Sequence, residues 1–165
     1  MIERICGLAG VFIAGVGCAY NPIWPDMRTP VDRARDVVSR CTQPDEAVDA
    51  LVLSTSDLEG VEPAYFYVPS GMDRSMRLRG VRLRFRPKAI LSADSLQRSA
   101  ECHQSLVTLG SAHAIPDDPY ALPGSWLDIK AISTGDGYVV TVLIDDREKA
   151  QRVVDRARHF AAQQR

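Results

Sequence analysis

Ser75-Met76-Arg77-Leu78-Arg79-Gly80-Val81-Arg82-Leu83-Arg84-Phe85-Arg86 alternates apolar and basic side chains, and the alternation breaks once. Before Gly80 the apolar residues are Met76 and Leu78; after it they are Val81, Leu83 and Phe85, so the parity changes. In a strand successive side chains point to opposite faces, and a one-residue slip sends every one of them to the wrong side. A bulge or bend at Gly80 absorbs the extra residue and restores one apolar face along the stretch. The alternative is two short strands. Either way the segment is an antiparallel strand with one face packed and the other cationic.

The flanking segments supply its partners. Residues 63–68 carry Tyr65, Phe66 and Tyr67 and read as a strand, with a turn at Pro69-Ser70-Gly71. Ser92-Ala93-Asp94-Ser95 starts a helix in which Leu96, Ala100, His103 and Val107 recur at helical spacing, with Gly110 as its stop. Residues 110–125 hold three prolines and form a loop, and 126–133 and 138–144 form a hairpin around Thr134-Gly135-Asp136-Gly137. Trp126 is expected to open that strand and pack in the core. Asp145 and Glu148 predict a capping box for a last helix whose apolar stripe includes Ala150, Val153, Val154, Ala157 and Phe160. Upstream, Thr29 caps a helix with Pro30 in its first position; Val31, Ala34, Val37, Val38 and Cys41 share a face, and the helix stops before Pro44. Residues 47–54 fit a helix or a strand.

From residue 63 the order is strand, strand, helix, strand, strand, helix. The expected class is therefore α+β, an antiparallel sheet of four to five strands with two or three helices packed mainly on one face. A ferredoxin-like fold gives the same order when its last strand is moved to the front. No residue-level repeat is visible between the two halves.

The first twenty residues carry an address. Arg4 is followed by an apolar, glycine-rich run over 5–17 and then Cys18. That run, about 13 residues, falls short of the roughly 20 a spanning helix needs, and its layout is that of a secretory signal. Ala14-Gly15-Val16-Gly17-Cys18 resembles the lipobox of bacterial lipoproteins. The resemblance implies that the Cys18 thiol receives lipid and becomes the new N-terminus. Gly15 departs from the leucine or other branched residue usual there, and Glu3 dilutes the positive start. Ordinary cleavage near Ala19 and an uncleaved chain are the alternatives. Under the lipoprotein reading, residues 1–17 are signal, 18–29 a proline-bearing tether, and 30–165 one domain. It would sit lipid-anchored on the periplasmic side of a bacterial membrane; without lipid it would be periplasmic or secreted. Of the four cysteines, Cys6 leaves with the signal, and Cys41 and Cys102 remain. In an oxidising compartment they are expected to form one disulfide; the alternative is two buried thiols.

A formal net charge of -1 argues against a general attraction to nucleic acid, and no such partner is expected. Arg77, Arg79, Arg82, Arg84 and Arg86 are the sharpest candidates for binding, because the guanidinium fork grips carboxylate and phosphate. An acidic protein partner or an anionic lipid would suit them. The competing reading is a solvated face whose arginines pair with Asp57, Glu59 and Glu62. Cys102-His103 could be a thiol–imidazole pair or part of a metal site with Cys41 or His113, but adjacent helical residues diverge by about 100°, which sets them poorly for gripping one metal. No Cys-x-x-Cys or paired-histidine spacing exists, and neither metal nor cofactor is expected. Asp117-Asp118-Pro119-Tyr120 reads as a solvated acidic loop tip. No Gly-x-Ser-x-Gly, phosphate loop or dinucleotide fingerprint is present. The expectation is a binding or assembly module. A small periplasmic hydrolase or thiol enzyme using His103 or His113, and a structural subunit of an envelope complex, are the alternatives.

Overall fold

The computed structural model describes residues 28–41, 54, 56–70, 73–88, 92–113 and 115–163. The signal, Cys6, Cys18, Trp24, the tether up to residue 27 and the ambiguous stretch 47–53 lie outside the described residues. Among those described, the chain forms α1 (Pro30–Val38), β1 (Leu58–Ser70), β2 (Asp73–Phe85), α2 (Ala93–Thr108), β3 (Asp128–Thr134), β4 (Gly137–Leu143) and α3 (Arg147–Ala162). The strands make one antiparallel sheet in the order β1-β2-β4-β3. This is the ferredoxin-like order with its final strand moved to the front, and the class is α+β as expected.

Gly80 takes up the extra residue. Ala64 lies opposite Gly80 and Tyr65 opposite Leu78, so Arg79 has no partner on β1. Met76 and Leu78 thereby return to the face of Val81, Leu83 and Phe85. Gly80 has φ +148°, and a Cβ there would drive into the Val142 carbonyl of β4. Only a residue without a side chain permits that approach. Gly137 at the start of β4 is its counterpart: φ is +146°, and a Cβ would meet the Phe85 carbonyl of β2. Superimposing one glycine on the other matches Val81, Leu83 and Phe85 with Tyr138, Val140 and Val142, all buried. The two strand-strand-helix halves thus share a backbone pattern that their residue identities do not display.

α2 and α3 cover the same face of the sheet and close the core over Leu83, Leu96, Val140, Val142, Val153 and Val154. α1 packs on α2. The expected Cys41–Cys102 disulfide joins them, with a Cα–Cα distance of 6.0 Å. Thr29 and Asp32 form a reciprocal box at the head of α1, Ser92 caps α2, and Gly110, φ +72°, follows the end of α2.

Several boundaries differ from the sequence reading. β1 starts at Leu58 rather than residue 63 and continues through Pro69 and Ser70, because it is an edge strand, where a proline takes nothing from the ladder. β3 starts at Asp128, which leaves Trp126 half-buried outside the strand. The cap of α3 is Asp146, whose side chain accepts the Lys149 N–H at 3.0 Å; Asp145 is drawn off to Arg79 instead. The buried stripe of α2 includes Gln104 rather than His103. Gln104 donates from Nε2 to the Leu127 carbonyl at 3.1 Å and accepts the Leu127 N–H at 3.2 Å. It satisfies the backbone just before β3, which an apolar residue could not do.

The two hairpins differ in length. The second turns at Gly135-Asp136, immediately before Gly137. The first continues past Gly80, pairing 65–70 with 73–78, beyond the end of β4. This projecting arm carries Tyr65, Phe66, Tyr67 and Met76, all exposed.

Gly80→Ala is expected to cost about 3 kcal/mol, from backbone strain plus the clash with β4. Gly110→Ala, where a Cβ meets nothing within 4 Å, is expected to cost only about 1 kcal/mol for its left-handed backbone. Urea unfolding of the two variants measures the contrast.

Candidate functional site

Antiparallel pairing fixes which arginines share a face. Phe66 lies opposite Arg77 and Glu62 opposite Arg82, and Arg84 is two residues further on, so all three arginines occupy the face that α2 and α3 do not cover. Arg82 sits over the Phe66 ring, its guanidinium carbon 5.9 Å from the centroid, within the range of a cation–π contact. Arg84 reaches Glu62 at 3.5 Å, Arg86 reaches Glu59 at 3.3 Å, and Lys88 pairs with Asp57. Arg79, displaced by the bulge, pairs with Asp145 and donates from Nε to the Ile144 carbonyl at 3.3 Å. Arg79, Arg84 and Arg86 therefore meet acids on the sheet rim, and only part of the cationic run stays open.

Arg77 and Arg82 are that part. Among the described residues neither has an ion pair, and Arg77, although its register places it on the face away from the helices, lies at the edge of β2 close enough to the start of α3 for its charge to act there. The Asp146 carboxyl there sits below the usual carboxylate range, first because it accepts the Lys149 N–H, with the charge of Arg77 adding to the effect. Arg147, in the first turn of α3, likewise has no ion pair among the described residues. Arg77, Arg147 and Glu148, with Tyr65, Met76 and Leu78, line a groove of about 860 Å³ between the arm and α3. Tyr65 is 48% exposed and Met76 54% exposed. Sequence reasoning selected Arg77 and missed Arg147, Tyr65 and Met76. The unequal spacing of glycine and turn in the two hairpins was the available signal, since it makes the first hairpin outrun the second.

The histidines separate. His113 is exposed. His103 Nε2 lies 2.6 Å from Asp118 Oδ2, and the Asp118 side chain is fully buried. Its Oδ1 accepts the Tyr120 N–H at 2.8 Å, while Arg156 Nε donates to the Asp118 carbonyl at 2.9 Å. The solvated acidic tip expected at Asp117-Asp118 is thus half wrong. Asp117 adopts φ +56° and meets Gln163, and the chain then turns Asp118 inward, where His103 and a backbone donor satisfy it. The Tyr120 phenol is pushed far above its usual value, first by burial and then by the Asp118 charge, so it stays neutral. This constellation pins the loop between α2 and β3 to α2 and α3. Cys102, oxidised in the disulfide, offers no thiol for His103 to activate. Among the described residues no group of three or more His, Cys, Asp or Glu side chains is placed to hold a metal ion. No helix among them is long and apolar enough to cross a membrane.

Comparison with models of protein families, with curated proteins and with solved structures finds no match for this chain.

Asp118→Ala strands the Tyr120 N–H and the His103 ring and is expected to destabilise the fold by about 2–4 kcal/mol. His113→Ala is expected to change stability by less than about 0.5 kcal/mol. Chemical denaturation of both variants tests the division of roles.

Proposed function

We propose that this protein is a binding or assembly module of the bacterial envelope that holds an acidic partner with the cationic, aromatic arm formed by β1 and β2. The observation that carries this reading is the placing of Arg77 and Arg147, without ion pairs among the described residues, beside the exposed Tyr65 and Met76. Aromatic and arginine side chains are the residues enriched at protein interfaces. Exposed apolar groups gathered on one projecting element also distinguish a contact surface from scattered surface residues. The envelope location rests on the signal-like opening and the lipobox-like Ala14-Gly15-Val16-Gly17-Cys18. The Cys41–Cys102 disulfide accords with an oxidising compartment.

Fluorescently labelled polyglutamate is expected to bind the protein at low salt and to weaken steeply as salt rises, because exposed charges are screened. Arg77→Glu with Arg82→Glu is expected to lower that binding at least tenfold. Indifference to both substitutions would remove the anion surface. Mass spectrometry of the protein from its native membrane fraction tests the address separately. Lipidated Cys18 at the N-terminus is expected, and intact Met1 without lipid would overturn it.

A further inference from the structure

We propose that the free edge of β2 in the arm takes an extended acidic segment of a partner protein as an added β-strand. This rests on the acidic-partner reading above and assigns it a backbone mode.

The first observation is where β4 stops. It pairs with β2 from Phe85 back to Gly80. One further bond follows, Ile144 N–H to the Arg79 carbonyl at 2.7 Å, and the chain then leaves for α3. Among the described residues, residues 73–78 of β2 pair with β1 alone. Their other edge therefore presents unpaired backbone donors and acceptors in line with the vacated path of β4, and the groove against α3 opens along that edge. An edge of this kind is a template for another strand.

The second observation separates this edge from the outer edge of β1. Pro63 and Pro69 both lie in β1, six residues apart, and the register shift between them falls on β2, so the two share one parity. Because the ladder to β2 is continuous, their missing N–H groups belong to the outer edge. Prolines on an edge strand block addition of a further strand. Residues 73–79 contain no proline. One side of the arm is closed to pairing and the other is open.

The third observation is chemical. Tyr65 and Leu78 are opposite each other, as are Tyr67 and Met76, so both pairs share the face that looks toward the helices. They give an added strand an apolar floor for alternate side chains. Arg77 lies on the opposite face and Arg147 at the groove rim. Glu148, in the groove lining, pairs with Arg152 at 2.8 Å, Asp145 pairs with Arg79, and the Asp146 carboxylate accepts the Lys149 N–H and lies in the field of Arg77. Among the charged residues that line the groove, Arg77 and Arg147 outnumber Glu148. The fitting occupant alternates apolar and acidic side chains, apolar toward Tyr65 and Met76 and acidic toward Arg77.

The test is selection from a random dodecapeptide library displayed on phage against the full-length oxidised protein, followed by synthesis of the enriched peptide. Alternating apolar and acidic peptides are expected, with amide NMR shifts concentrated on residues 74–78. Methylation of alternate backbone nitrogens in one of the two registers is expected to weaken binding at least tenfold, as is Arg77→Glu. Met76→Pro, which removes a free-edge donor and leaves the β1 ladder intact, is expected to abolish binding while core amide shifts stay in place. Acidic peptides that depend on Arg77 but ignore N-methylation and Met76→Pro would overturn strand addition and leave the acidic-partner reading standing. Enrichment without acidic residues would overturn both. So would a protein that takes no peptide but binds phosphatidylglycerol vesicles through the same arginines.

Discussion

The close approach of two backbones at the centre of the sheet governs the rest of this molecule. β2 and β4 come together where Gly80 faces the Val142 carbonyl and Gly137 faces the Phe85 carbonyl. Each glycine opens a run whose alternate residues are buried, so the seam sets the parity of both central strands at once. Every layer above follows from that parity. Val81, Leu83 and Phe85 on one strand, and Tyr138, Val140 and Val142 on the other, form the floor on which α2 and α3 rest. Hydrophobic burial supplies the driving force; the glycines decide which side chains receive it.

The same seam creates the candidate site. The bulge at Gly80 lets the first hairpin keep its apolar face after it has left the sheet, while the second hairpin turns back at its own glycine. A pseudo-symmetric pair of units therefore ends in an asymmetric projection. It carries Tyr65 and Tyr67 on the continuation of the face that is core beneath the helices, and Phe66 on the other. The polar network around Asp118 serves a different purpose. It fixes a proline-rich loop: His103 of α2 and the Tyr120 N–H of the loop satisfy the buried Asp118 carboxylate, and Arg156 of α3 donates to the Asp118 backbone carbonyl.

Much of the fold was legible because its signals are local. The alternation around Gly80, the Gly135-Asp136 turn, the Thr29 and Ser92 caps and the stripe of α3 each depend on residues a few places apart. What escaped the sequence was non-local. Gln104 looks like a surface residue until the backbone of Leu127 is placed beside it. Asp118 looks solvated until α2 delivers His103 from fifteen residues away. For the site, the concentration of arginines was plain, and so were Asp57, Glu59 and Glu62 as acids that could meet them. Which cation each acid would take was not, because strand register decides it, and Asp145 reaches Arg79 only through the bulge. Arg147 carried no signal of its own; its role comes from the direction in which the arm projects.

The covalent link between Cys41 and Cys102 has a mechanical consequence. It rivets the end of α1 to α2, which leans on β3, while the arm belongs to β1 and β2 at the opposite flank. Load entering through the residues that precede Thr29 would pass through this rivet and cross the sheet strand by strand before reaching the hairpin. Reducing the bond would take the covalent step out of that path and leave α1 held to α2 by side-chain packing alone.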